Sequence, residues 1–142
     1  MKFTEQSFQL LVAYWAGKLN LPLPMFRRDN RMVWVAHIHH CDDCEYYNFS
    51  YNFERIRNHS DASIMSIVFH ELGHIKYYKK KLKNTIEKEY LAERFSLDCI
   101  KKYYPDYLDQ IVKDTKELMQ NKKWCKKFPT YVEMFKMIKE YN

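Results

Sequence analysis

The spacing of the apolar residues changes near the middle of the chain. From Tyr46 to Arg55, aromatic and polar side chains alternate, which predicts a half-buried β-strand. From Ser60 onward the apolar residues recur every three or four positions, and Ser60 or Asp61 can cap the first turn, so a helix is predicted from Asp61 to about Lys80. A chain with both periods is expected to combine a sheet with helices in an α+β fold.

The rest of the chain predicts one more strand and several helices. Residues Arg31–His40 are rich in β-branched and aromatic side chains and predict a strand. The loop His39–Glu45 would join this strand to the one at Tyr46–Arg55 in a β-hairpin. Helical spacing is found in the segments 3–19, about 84–104, 106–121 and 131–141. We therefore predict a small antiparallel or mixed sheet with a hairpin and about five helices.

Composition bounds the size of the fold and the class of its partners. The chain has 142 residues with only two glycines and four prolines, so we expect a single domain over residues 1–142 without a flexible linker. Lysine and arginine total 24 against 18 acidic residues, and lysine-rich runs lie at 76–83 and 122–127. Such runs most often form solvated helix faces, so nucleic acid is a possible partner but is not expected to be the primary one.

The cysteines and the N-terminal segment bear on the compartment. Four cysteines at irregular spacing do not suggest a disulfide framework, so a reducing cytoplasm is the expected location. The apolar stretch 8–17 follows Glu5 and Gln6 instead of basic residues, and it is too short to span a membrane. We expect neither a cleaved signal nor a membrane partner.

The predicted central helix contains the sequence His-Glu-Leu-Gly-His at residues 70–74. Residues four apart lie on the same helix face, so His70 and His74 can present two imidazoles to one tetrahedral Zn²⁺. Glu71 lies beside the first ligand, where its carboxylate can take a proton from the zinc-bound water that attacks a peptide carbonyl. Gly73 costs about 1 kcal/mol relative to alanine inside a helix, which predicts that another element approaches closely at this point.

A third zinc ligand is expected from the next helix. If that helix starts near Asn84 and returns antiparallel to the first, it regains the depth of the histidines at Glu89 or Glu93. One of the two would bind zinc, and the other would accept a hydrogen bond from the second ring nitrogen of a ligand histidine. No histidine follows His74, and Lys80 occupies the position of the third metzincin histidine, so a glutamate is the remaining ligand type.

Residues 46–95 resemble the ImmA/IrrE family of metallopeptidases, and they are also similar to minimal single-domain gluzincins. The resemblance rests on the strand, on the motif at residues 70–74, and on a Glu-x-x-Ala stretch in which Glu89, Ala92 and Phe95 are in register. It implies a zincin-like fold, Glu89 as the third zinc ligand and Glu93 behind it. It also implies a protein or peptide substrate, such as a regulatory repressor.

The motif therefore predicts a zinc-dependent metallopeptidase of the gluzincin type. The strand at residues 46–53 is expected to lie beside the cleft, where an extended substrate could add its backbone as a further strand. Two alternatives are a basic protein that acts on or binds nucleic acid, and a zinc-binding domain that is catalytically idle or latent.

A second metal cluster is a weaker prediction from the sequence. Cys41 and Cys44 form half of a common zinc site, and His39 lies close to them along the chain. A redox pair or plain surface thiols are the alternatives for the two cysteines.

Overall fold

Polar side chains cap the N-termini of five helices. The computed structural model describes residues 3–40, 46–80, 82 and 84–142. At each of five N-termini, a side-chain oxygen accepts a hydrogen bond from a backbone N–H group of the first turn; these residues are Thr4, Asn52, Ser60, Asn84 and Asn121. Each such cap satisfies a backbone donor that the helix itself leaves unpaired.

The described residues form seven α-helices and three strands. In chain order they are α1 Glu5–Lys18, β1 Met25–Arg28, β2 Ala36–His40, β3 Tyr47–Tyr51, α2 Phe53–Ile56, α3 Asp61–Lys76, α4 Thr85–Tyr103, α5 Leu108–Gln120, α6 Lys122–Lys127 and α7 Pro129–Lys136. Two short 3₁₀ helices lie at Pro105–Tyr107 and Lys139–Tyr141. The predicted α+β class is confirmed, and the zincin-like architecture stays a prediction.

The sheet is mixed, and β3 is its central strand. The strand order is β1-β3-β2, with β1 parallel and β2 antiparallel to β3. The predicted hairpin is confirmed, because Ile38 of β2 is paired with Phe49 of β3. The alternation is also confirmed, since the aromatic residues of β3 are buried and Asn48 and Ser50 are only half-buried.

Both predicted strands are shorter than expected. β2 begins at Ala36, not at Arg31, and β3 ends at Tyr51. The side chain of Asn52 accepts a hydrogen bond from the backbone N–H of Arg55, which turns the chain into α2 where the sequence pattern predicted continued strand. β1 was not predicted, because its side chains are mostly exposed and show no alternation.

Helices α3 and α4 pack antiparallel. Ser96 Oγ donates to the backbone carbonyl of Ser66 at 2.8 Å, and Gly73, later on α3, faces Ala92, earlier on α4. The predicted close approach at Gly73 is therefore confirmed. α4 begins after Asn84 as predicted, whereas α3 ends at Lys76, before the predicted Lys80.

One hydrophobic core joins α1, the sheet and the remaining helices. Phe8 of α1 packs edge-on against Phe49 of β3 at 5.9 Å between ring centroids, and Trp15 packs against Phe69 of α3 at 5.0 Å. α3 also contacts α4 and β2, so it lies in the middle of this core. In the described part of the chain, none of the helices has both the length and the apolar character that crossing a membrane requires.

Candidate metal centre

Two histidines on α3 and one glutamate on α4 converge at the candidate site. Nε2 of His70 lies 2.8 Å from Oε2 of Glu89, and Nε2 of His74 lies 3.2 Å from the same oxygen. Ligand atoms that lie about 2.0 Å from a tetrahedral Zn²⁺ are about 3.3 Å apart, so the two distances from the Glu89 oxygen are close to those expected between ligands of one zinc ion.

Glu93 lies behind the first histidine. Its Oε1 atom is 3.2 Å from Nδ1 of His70, the ring nitrogen that does not face Glu89. The carboxylate is 5% exposed, so few water molecules compete for this contact. Glu89 thus lies between the two histidines and Glu93 lies behind the His70 ring, and their roles at a metal stay predictions.

Glu71 is a buried carboxylate beside the histidines. Candidate ligand atoms of His70, Glu71 and His74 lie within 4.8 Å of one another. Oε2 of Glu71 has no hydrogen-bond partner, and burial raises the pKa of its carboxyl group. An unbonded carboxylate oxygen beside the histidines can accept a proton, and Glu89, which contacts both imidazoles, can serve as a metal ligand.

The charges of the site favour a bound cation. Burial alone would raise the pKa of Glu89, but the hydrogen bonds with His70 and His74 outweigh it and hold that pKa far below its ordinary value. Burial opposes a charge on His70 as well, yet the hydrogen bonds to Glu89 and Glu93 raise its pKa well above the ordinary value. A proton and a divalent cation would be stabilised there by the same carboxylates.

Tyr131 on α7 is a site residue that the sequence did not single out. Its ring centroid lies 6.4 Å from that of His70, and it lines the same cleft as His70 and Glu71. Burial, with the added effect of the nearby glutamates, raises the pKa of Tyr131 far above its ordinary value. The phenol therefore stays protonated and can act as a hydrogen-bond donor. It is one of twelve tyrosines, and no local pattern distinguishes it.

A cleft of about 700 Å³ opens beside His70 and Glu71. Residues 33–36, which lead into β2, form one wall, and aromatic residues of α6 and α7 with Ile67 of α3 form much of another. β2 packs against α3 and is an edge strand of the described sheet. The prediction that the strand at residues 46–53 could pair with a substrate is therefore wrong, because β3 is hydrogen-bonded on both sides.

The predicted second metal cluster is not tested. Cys41 and Cys44 lie outside the described residues, and His39 lies exposed on β2. Among the described residues, a group of three potential metal ligands is found at His70, Glu71 and His74, and none is found that includes His39.

Comparisons of the chain with protein-family models, with curated proteins and with solved structures return no match. The resemblance to the ImmA/IrrE family therefore stays a prediction that rests on residues 46–95.

Proposed function

We propose that this protein is a zinc-dependent metallopeptidase in which His70, His74 and Glu89 hold the metal. One observation carries the proposal: a single oxygen of Glu89 lies 2.8 and 3.2 Å from the two Nε2 atoms, next to a buried and unbonded oxygen of Glu71. Two imidazoles and one carboxylate leave a fourth tetrahedral position for water or substrate, which is the donor set of catalytic zinc sites.

A zinc ion in this position would supply a Lewis acid that polarises the scissile carbonyl group and lowers the pKa of water. Glu71 takes a proton from the water molecule while the water oxygen attacks the carbonyl carbon. Glu71 then gives that proton to the amide nitrogen as the C–N bond breaks. Burial raises the pKa of the Glu71 carboxyl group, which makes its carboxylate a stronger general base.

Tyr131 is proposed to stabilise the negative charge that develops on the carbonyl oxygen. Its ring lies 6.4 Å from that of His70 in the lining of the same cleft, and its raised pKa keeps the proton on the phenol oxygen. A donor that is already in place acts on the charge of the transition state without a reorganisation cost.

The proposed substrate is an extended polypeptide that pairs with the edge of β2. The strand borders the cleft next to α3, so a peptide hydrogen-bonded to its free edge would pass the histidines. The resemblance to repressor-cleaving peptidases makes a regulatory protein the proposed physiological target.

The direct test is the variant Glu71→Gln with zinc loaded. We expect stoichiometric zinc in both proteins, and cleavage of a flexible polypeptide such as unfolded casein slowed roughly 10²- to 10⁴-fold in the variant. Glu133→Gln is the matched control, because Glu133 is exposed on α7 and pairs with the exposed Lys136 at 3.5 Å. Stoichiometric zinc without turnover in the wild-type protein would instead identify an idle zinc-binding domain.

A further inference from the structure

The C-terminal turn of the chain is attached to α4 directly beside the candidate site. Tyr141 is 1% exposed, and its hydroxyl donates to Oε2 of Glu93 at 3.2 Å. The other oxygen of Glu93 lies 3.2 Å from Nδ1 of His70. One carboxylate therefore connects a phenol of the last 3₁₀ helix to an imidazole at the candidate metal position.

Ion pairs hold the same turn in place. Glu140 accepts hydrogen bonds from both terminal nitrogens of Arg94, including a contact of 2.9 Å from Nη1, and from Lys101 at 2.8 Å. Arg94 and Lys101 are both on α4, and Arg94 is the neighbour of Glu93. Asn142 continues the attachment, because its side-chain amide donates to the carbonyl of Ile138 at 2.7 Å. The position of Tyr141 relative to Glu93 is thus fixed by the ion pairs of Glu140 on one side and by the amide hydrogen bond of Asn142 on the other.

We propose that Tyr141 is a positioning residue of the metal site, which holds the Glu93 carboxylate in the orientation that fixes the ring of His70. This inference rests on the zinc site of the proposed function. A carboxylate with one partner can rotate about its side-chain bonds, whereas hydrogen bonds at both oxygens restrict it. Removing the hydrogen-bond partner of a ligand histidine typically lowers metal affinity roughly 10- to 100-fold. A group one contact further away is expected to contribute less.

The test measures zinc affinity, not turnover, by competition with a chromophoric chelator. Tyr141→Phe removes one hydroxyl and is expected to weaken zinc binding about 3- to 10-fold. Tyr51→Phe is the matched control: Tyr51 is fully buried and donates to Glu5 at 2.6 Å, away from the histidines. We expect both variants to lose similar stability to heat, and the control to bind zinc like the wild-type protein.

A double-mutant cycle separates positioning from packing. If Tyr141 acts through Glu93, adding Tyr141→Phe to Glu93→Gln causes no further loss of zinc affinity. Tyr141→Phe that binds zinc as tightly as the wild type, while Glu93→Gln binds it more weakly, would overturn the inference and leave the proposed function intact. Absence of zinc binding by the wild-type protein would overturn both.

Discussion

A Cβ atom at Gly73 would lie 3.0 Å from the Cα atom of Ala92 and 3.1 Å from its carbonyl oxygen. The neighbouring atoms are backbone, so they cannot turn aside as a side chain could. Gly73 is one residue before His74, and Ala92 is one residue before Glu93. The absence of a side chain at Gly73 therefore sets how closely α4 brings its two glutamates to the histidines.

Gly73→Ala should weaken both the fold and zinc binding. The gain in helix propensity is about 1 kcal/mol, but the overpacked contact costs roughly 1–3 kcal/mol, so we expect a net loss of about 1 kcal/mol in the free energy of unfolding. Gly17→Ala in α1 is the control, because nothing lies within 4 Å of its added Cβ atom and the variant should gain stability. Chemical denaturation measures the free energy of unfolding of both variants. A Gly73→Ala protein as stable as Gly17→Ala would contradict the close approach.

The two glutamates of α4 should differ in their effect on zinc. Glu89→Gln replaces the oxygen between the two imidazoles by a neutral amide, so we expect loss of stoichiometric zinc. Glu93→Gln keeps the ligand set and should lower the affinity roughly 10- to 100-fold. Zinc titration in the presence of a competing chelator measures the two affinities. The reverse order would make Glu93 the ligand.

Tyr131→Phe should separate turnover from metal binding. The variant loses the donor proposed to face the carbonyl oxygen, and such donors contribute roughly 10²- to 10³-fold to kcat. Zinc affinity should not change, because Tyr131 contacts the His70 ring without a hydrogen bond to a metal ligand. Steady-state cleavage of a quenched fluorescent peptide gives kcat and KM. An unchanged kcat would remove Tyr131 from the mechanism.

Acid should weaken the attachment of the C-terminal turn. The hydrogen bond from Arg94, with that from Lys101, lowers the pKa of Glu140 against the opposing effect of burial. Because the pKa of Glu140 is lower in the folded state, its ionisation stabilises the fold fully above the unfolded-state pKa of about 4.3, and this contribution declines as the pH falls from there toward the folded-state pKa. Urea unfolding at about pH 7 and about pH 3 should show that Glu140→Gln loses less stability on acidification than the wild type, by roughly 1 kcal/mol. Equal losses would show that the pair does not contribute.

Elements with a strong local pattern could be predicted from the sequence. β3 and α3 have clear periods of two and of three to four, and Asn84 marks the start of α4. The antiparallel return of α4 brings Glu89 and Glu93 to the depth of the histidines as predicted, although α3 ends at Lys76 and not at Lys80.

The remaining features depend on contacts between distant segments. β1 is largely exposed and exists through its pairing with β3, and α6 is six residues long with four lysines and no apolar spacing. Tyr131 reaches the site because α7 packs against α4, and Tyr141 reaches it through hydrogen bonds between the last 3₁₀ helix and α4. Such packing is not encoded in the spacing of neighbouring residues.

The location of the metal tests the account most directly. Crystals of the zinc-loaded protein should give one anomalous difference peak at the zinc absorption edge, about 2.0–2.2 Å from Nε2 of His70, Nε2 of His74 and a carboxylate oxygen of Glu89. A peak coordinated by Glu71 or Glu93 in place of Glu89, or no peak at the two histidines, would contradict it.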